Sequence, residues 1–173
     1  DLVFAAPHNV EETLVAPVSR LHLMIGQALG GATTAVMQGF LVFIISIAIG
    51  VNFPSFSGIL ISLVFMFLIG LSFTSLGIAF ASRMEDTHGF QLIVNFVLFP
   101  VFFLSGALFP LDRIPDWLSF LTYIDPLTYG VEGMRYGMLG ASQLNPWLCF
   151  AALSGFLVVM LLLGSFLFNK IKI

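Results

Sequence analysis

Four long runs without a charged residue decide what this chain can fold into. They cover residues 23–50, 58–82, 91–109 and 147–168. Each run is long enough to cross about 30 Å of hydrocarbon as a helix, which rises about 1.5 Å per residue. Strands of a membrane barrel would alternate apolar and polar residues, whereas these runs are continuously apolar. The sequence therefore predicts an all-α fold, a polytopic bundle of transmembrane helices.

The composition agrees with a protein that is solvated by membrane lipid. Hydrophobic residues make up 59% of the chain and charged residues 9%, against about 25% charged residues in soluble domains. The net charge of −3 provides no positive surface for nucleic acid. The single cysteine, Cys149, excludes an internal disulfide and a cysteine-rich metal site, and its apolar surroundings predict a packing role.

The basic residues predict the orientation of the spans. Four of the six lysines and arginines share one side of the membrane by parity: Arg20, Arg83, Lys170 and Lys172. The 51–57 loop on the other side has none. By the positive-inside rule, the N-terminal segment, the 83–90 loop and the C-terminus are cytoplasmic, and the protein is a multi-pass cell-membrane protein. Because the chain starts at Asp1 in a polar segment, we expect it to be a piece of a larger protein.

Small and polar residues form a stripe along each of the first two spans. The stripe of the first span consists of Gln27, Gly30, Gly31, Thr34 and Gln38. That of the second consists of Gly70, Thr74, Gly77 and Ala81. The spacing of Gly26 and Gly30 also permits close helix approach. Two interpretations stay open: the stripes pack helix against helix, or the first stripe lines a translocation route.

The third span carries two interruptions, Asn95 and Pro100. Proline removes one backbone hydrogen bond, so Pro100 predicts a kink. Asn95 needs a polar partner at membrane depth.

The N-terminal segment predicts a short amphipathic helix at the cytoplasmic face. Leu14, Val15 and Val18 share one side, while acidic residues precede them and Pro17 ends the helix. Ser19 is placed to cap the span that follows. The helix either rests on lipid or inserts into the groove of a soluble partner, and both interpretations stay open.

The segment 110–146 carries more charged residues than any other segment between spans, with four of the nine acidic and two of the six basic residues of the chain. Pro110, Pro115 and Pro126 predict breaks between short helices. Asp125-Pro126 is typical of a helix cap and first turn, and Glu132 and Arg135 are spaced to pair. The segment is predicted to be a helix-turn-helix that dips into the outer leaflet, the alternative being an amphipathic surface flap without a mechanism.

No pattern for soluble-type catalysis occurs in the sequence. Gly-x-Ser-x-Gly, His-Glu-x-x-His and Gly-x-x-x-x-Gly-Lys-Ser/Thr are all missing. Glu85, Asp86 and His88 share a short turn, but they lack a second ligand group of suitable spacing, so no metal site is predicted. We therefore expect a protein that is not an enzyme. If it performs energised transport, the ATPase must lie on another chain or in a missing part of this one.

Three motifs in sequence order carry a resemblance to a known family. They run from Glu12 to Arg20, from Ser105 to Trp117 (Ser-Gly-x-x-Phe-Pro-x-x-x-x-Pro-x-Trp), and from Asp125 to Arg135 (Asp-Pro-Leu-Thr-Tyr-Gly-Val-Glu-Gly-Met-Arg). Together they resemble the ABC-2 type permeases, the membrane subunits of ATP-binding-cassette exporters. The Ser-Gly-x-x-Phe-Pro form of the second motif resembles the multidrug and antibiotic branch of that family. The family has six spans, so the resemblance implies that this chain shows four of six. The family commonly has Asn where this chain has Asp125, and both residues cap helices.

The resemblance implies roles for three groups of residues. Region 9–20 corresponds to the coupling helix that docks on the ATPase, with Glu11, Glu12, Leu14, Pro17, Ser19 and Arg20. The extracellular re-entrant pair within 110–146 corresponds to an outer gate, with Pro110, Pro115, Trp117, Asp125, Pro126, Tyr129, Glu132 and Arg135. A substrate path would involve Gln27, Thr34, Gln38, Asn95, Phe96, Phe99 and Phe103.

The function implied is export of a hydrophobic or amphipathic substrate such as a drug, an antibiotic or a lipid-like molecule. No cofactor is expected in this chain, because ATP and Mg would bind the partner ATPase. The expected partners are that ATPase, a second permease copy in a homo- or heterodimer, and membrane lipid. The alternatives are a permease for polysaccharide or lipid-linked glycan, a non-energised channel and a structural membrane protein.

Overall fold

The computed structural model describes residues 20–50, 55–82, 89, 91–92, 94–109, 111 and 115–168. All regular structure in these residues is helical, which confirms the all-α prediction. The α-helices are α1 (Arg20–Ala48), α2 (Phe56–Ala81), α3 (Phe99–Leu104), α4 (Asp116–Ile124), α5 (Pro126–Leu139) and α6 (Pro146–Phe168), and a π-helical turn, Val94–Leu98, precedes α3.

Three of the helices are long and apolar enough to cross a membrane. The apolar stretches are His22–Ala48, Phe56–Ala81 and Pro146–Leu167. The third predicted span contains a shorter apolar helix, Val94–Leu104. It changes from π- to α-helical geometry just before Pro100, which lies in the first turn of α3. A proline is tolerated there because the first N–H groups of a helix have no intrahelical partner.

Local side chains fix where two of the long helices begin. Ser55 caps α2 by accepting a hydrogen bond from the Gly58 amide at 3.1 Å. Asn145 accepts one from the Trp147 amide at 2.9 Å, and Pro146 follows it as the first residue of α6. These oxygens satisfy N–H groups that the helix itself leaves unpaired.

Helix α2 lies at the centre of the bundle and packs against α1, α5 and α6. Met24 and Ala28 of α1 meet Ile78 of α2 in one buried cluster. Phe65 of α2 meets Cys149 and Leu153 of α6 in another. Cys149 is thus buried as a small packing residue.

Small residues bring α1 and α2 close together. A Cβ atom added at Gly70 would lie 3.3 Å from the Cα atom of Ala32, and one at Gly31 would meet the side chain of Thr74. The packing interpretation of the α2 stripe therefore holds at Gly70 and Thr74. Gly77 of the same stripe has no such neighbour within 4 Å.

A glycine face on α5 packs closely against α2. Gly130, Gly133 and Gly137 recur at helical spacing and lie against Ile69, Phe65 and Ser62 of α2. At Gly137 the neighbours include backbone, because an added Cβ atom would lie 2.6 Å from the Gly58 carbonyl oxygen and 2.9 Å from the Ser62 amide nitrogen. The absence of side chains on this face allows the two backbones to approach each other.

Substituting Gly137→Ala should therefore destabilise the protein by about 1–3 kcal/mol, because the added methyl group meets backbone that cannot rotate away. The measurement is thermal unfolding of the purified protein in detergent. Gly155→Ala in α6 is the matched control, since nothing lies within 4 Å of its Cβ position, and it should leave stability unchanged or raise it by up to about 1 kcal/mol. Equal melting temperatures for the two variants would contradict the close approach.

Candidate functional site

The corner between α4 and α5 is built on Asp125. Its amide donates to the Leu121 carbonyl at 3.1 Å and closes α4, while its carboxylate accepts from the Leu127 amide at 2.8 Å and opens α5. Pro126 is the first residue of α5. The cap and first turn predicted for Asp125-Pro126 are confirmed.

Asp125 is unusually buried for a capping carboxylate, with 5% of its surface exposed. Its second oxygen, Oδ2, has no hydrogen-bond partner of standard geometry among the described residues, and the same holds for the hydroxyl of Thr122 nearby in the chain. Burial raises the pKa of Asp125 from 3.8 to about 6, against the opposing effects of the Leu127 amide and the Thr128 side chain. Asp125 lies outside the three long apolar helices.

Most large apolar side chains of α4 point away from the rest of the described chain. Trp117 is 78% exposed, and Phe120, Leu121 and Ile124 are also exposed. Such a face is suited to the interfacial region of a membrane, where aromatic residues are enriched. Tyr129 of α5 braces the corner, because its hydroxyl donates to the Tyr123 carbonyl at 2.7 Å.

A partly buried charge pair lies two turns further along α5. Glu132 is fully buried, and Arg135 Nη1 donates to its Oε1 atom. The pairing that the spacing predicts is therefore present. The Gln143 amide donates to Glu132 Oε2 at 2.6 Å, and Arg135 Nη2 donates to the Gly106 carbonyl at 2.7 Å.

These bonds connect three stretches that are distant in sequence. Gly106 lies in the turn after α3, the pair lies on α5, and Gln143 lies in the loop before α6. Nothing in the sequence identifies Gly106 and Gln143 as partners of the pair. Both residues contribute backbone atoms to these hydrogen bonds, so the contact cannot be predicted from their side chains.

The structure separates the two faces of α1. Met24, Ala28 and Ala32 are buried, whereas Gln27, Thr34 and Gln38 are exposed. Gly26 and Gly30 have no atom within 4 Å of their Cβ positions, so the close approach predicted for them is not made within the described chain. The Thr34 hydroxyl donates to the Gly30 carbonyl of its own helix at 3.2 Å.

The remaining residues of the predicted substrate path are also exposed. Asn95 and Phe96 belong to the π-helical turn, and Phe99 and Phe103 to α3. Separately, a groove of about 420 Å³ lies between α1, α2 and α5, and it is lined by Ala35, Gly39, Met66, Ile69, Gly70, Phe73, Thr74 and Met134. None of the predicted path residues lines it. The small residues Ala35 and Gly39 were the sequence signal that could have found it.

Several predicted site residues lie outside the part of the chain that the structure describes. They are Glu11, Glu12, Leu14, Pro17 and Ser19 of the coupling-helix region, Pro110 of the outer gate, and Glu85, Asp86 and His88 of the turn. Arg20 begins α1, but its side chain is not described. The coupling helix therefore stays a prediction, as do the gate and the path.

The sequence profile of the ABC-2 type transporter family matches residues 2–139. The chain therefore belongs to the ABC-2 type transporter family, and it is a membrane protein with several helices long and apolar enough to cross the bilayer.

Individual relatives agree with that family. The chain is 32% identical to the ycf38 protein of Cyanophora paradoxa, over 91% of this chain and 58% of the relative. It is 31% identical to the inner membrane transport permease YadH of Escherichia coli (strain K12), over 90% and 60%. It is 27% identical to nodulation protein J of Rhizobium meliloti (strain 1021), over 95% and 62%. The chain thus spans about three fifths of the length of these curated relatives. No solved structure matches it.

The raised pKa of Asp125 predicts that stability depends on pH. Between pH 3.8 and about 6 the folded protein binds a proton that the unfolded chain releases. The free energy of unfolding should therefore rise as the pH falls through about 6 and level off below about 4. Asp125→Asn keeps a capping oxygen without a charge.

At pH 7 we expect Asp125→Asn to be more stable than the unsubstituted protein by about 1–3 kcal/mol, because no charge is buried. The increase between pH 6 and 4 should be correspondingly smaller in the variant. Melting temperatures in detergent across that range measure both effects. Identical pH profiles for the two proteins would show that Asp125 is not the group responsible.

Proposed function

We propose that this chain is the membrane-spanning part of an ATP-binding-cassette exporter that moves a hydrophobic or amphipathic substrate out of the cell. ATP would be hydrolysed by a separate nucleotide-binding subunit, and the substrate would cross between two permease copies. The observation that carries the proposal is the family match over residues 2–139, which includes both the N-terminal segment and the α4–α5 pair. YadH is itself named a transport permease.

The positive-inside rule supports the direction of the proposed pathway. It puts the N-terminal segment on the cytoplasmic side, where an ATPase would dock, and the α4–α5 pair outside. The ATPase would push on region 9–20, and the push would pass directly into α1. Substrate would leave past the α4–α5 pair, which would act as the outer gate.

The exposed face of α1 supports a route between two copies. Gln27 and Gln38 are amides in a span of continuous apolar residues, and the described chain leaves both exposed. An amide facing hydrocarbon is costly, so these side chains require a polar environment in the assembled transporter. A wall shared by two copies would provide one. The exposed phenylalanines Phe96, Phe99 and Phe103 would hold the apolar part of the substrate.

The docking role predicts that substituting Glu12, Leu14 or Arg20 of region 9–20 weakens binding of the ATPase. Leu14→Ala should lower the amount of co-purified ATPase activity about tenfold, as removal of an apolar anchor from an interface does. Glu12→Ala and Arg20→Ala should also lower it. Thr13→Ala, beside the anchor, is the matched control and should bind as the unsubstituted protein does. ATPase recovery and ATP-dependent transport that survive all three substitutions would exclude docking through this segment.

The route predicts that the two glutamines are needed for transport and not for assembly. The double variant Gln27→Leu/Gln38→Leu should transport a fluorescent amphipathic dye at least about tenfold more slowly in vesicles, because each lost amide removes a hydrogen bond worth about 1 kcal/mol. Its dimer fraction should be unchanged. Leu41→Met, on an exposed apolar position of α1, is the control. A fall in the dimer fraction would favour the packing interpretation of the stripe and contradict the route.

A further inference from the structure

Arg135 links α5 to the turn that follows α3, a helix with few contacts to α5. The turn Ser105–Gly106 follows α3, and α3 makes few contacts with α5. In contrast, α5 is packed closely on α2 through its glycine face and also contacts α6. The hydrogen bond from Arg135 Nη2 to the Gly106 carbonyl therefore crosses the weaker of these interfaces.

The turn is buried and internally ordered. Ser105 is fully buried, and its hydroxyl donates to the Phe102 carbonyl at 2.8 Å while accepting from the Ala107 amide at 3.3 Å. Gly106 has a φ of 79°, in the left-handed region where side chains are rarely tolerated. An added Cβ atom there would lie 2.8 Å from Leu111 Cδ2. The Gly106 carbonyl is thus presented to Arg135 by a turn of defined shape.

Glu132 holds the guanidinium in place for this contact. Its two carboxylate oxygens bind Arg135 on one side and the Gln143 amide on the other. The planar guanidinium can donate to the carboxylate and the carbonyl at the same time, because its N–H groups point in fixed, divergent directions. Lysine carries the same charge at a single point and cannot make the same fork.

We propose that Glu132 and Arg135 form a latch that holds the Ser105–Gly106 turn against α5, and that the latch opens when the outer gate releases substrate. The second part rests on the proposed function. Since α5 is fixed to α2, the turn and α3 are the side that moves. Glu132 and Arg135 are positioning residues in this proposal, acting on the turn and not on the substrate.

The test uses Ser105→Cys as a reporter, in a Cys149→Ala background that removes the native thiol. The reporter thiol is buried while the turn is latched, so its reaction with N-ethylmaleimide measures opening of the turn. Arg135→Lys keeps the positive charge beside Glu132 and removes the second donor, which binds the Gly106 carbonyl. In this variant we expect the reporter thiol to react at least about tenfold faster than in the reporter protein that keeps Arg135, because one charge-assisted hydrogen bond is lost.

Two further variants separate the latch from general damage to α5. Leu139→Ala, one turn along at an exposed position, should label at the unsubstituted rate. Glu132→Gln/Arg135→Gln removes both charges together, so it leaves no unpaired buried charge, and it should label at least as fast as Arg135→Lys. If both latch variants are monodisperse in detergent and label at the unsubstituted rate, the latch does not exist.

A second arm distinguishes the latch from its role in export. The unsubstituted latch with the reporter is labelled in vesicles containing the co-expressed ATPase, with and without ATP. Faster labelling with ATP supports release during transport. If labelling is faster in the latch variants but does not change with ATP, the latch exists. The proposal that it opens during transport is then wrong. The labelling in detergent needs no ATPase, so its outcome does not depend on the proposed function.

Discussion

The close approach of α5 to α2 is the contact on which the rest of the structure depends. Glycines at 130, 133 and 137 remove the side chains that would keep the helices apart. Helix α5 then packs against both α2 and α6, which shield the part of the helix that carries Glu132 from water. Glu132 is buried for this reason, and burial obliges it to find partners for both oxygens.

Contacts between residues close in sequence could be predicted, and contacts made by backbone could not. Asp125-Pro126 was recognisable as a cap because a cap is defined by neighbouring residues. The pairing of Glu132 with Arg135 followed from their spacing on a helix. The Gly106 carbonyl and the Gln143 amide are groups that nearly every residue carries, so their identity depends on how the chain folds back.

The face on which α1 packs illustrates a limit of sequence-based prediction that is specific to membrane proteins. In water, the buried face of a helix is the apolar one. In lipid, apolar surface gains little by leaving hydrocarbon, and helices associate through small residues and polar contacts. Small residues occur on both faces of α1, with Ala28 and Ala32 on one and Gly30 on the other. Periodicity therefore identified a stripe but could not decide that α2 would cover the alanine face.

The same property of lipid explains why a charge pair is useful at this place. A buried ion pair adds little net stability compared with apolar side chains of similar size. Apolar contacts between α3 and α5 would, however, define their register poorly, because lipid chains could replace either partner at small cost. Arg135 has a directional bond to one carbonyl, and Glu132 to one amide. A contact of this kind has one satisfied arrangement and an open state in which its charged groups must be solvated, which are the two states that the proposed latch needs.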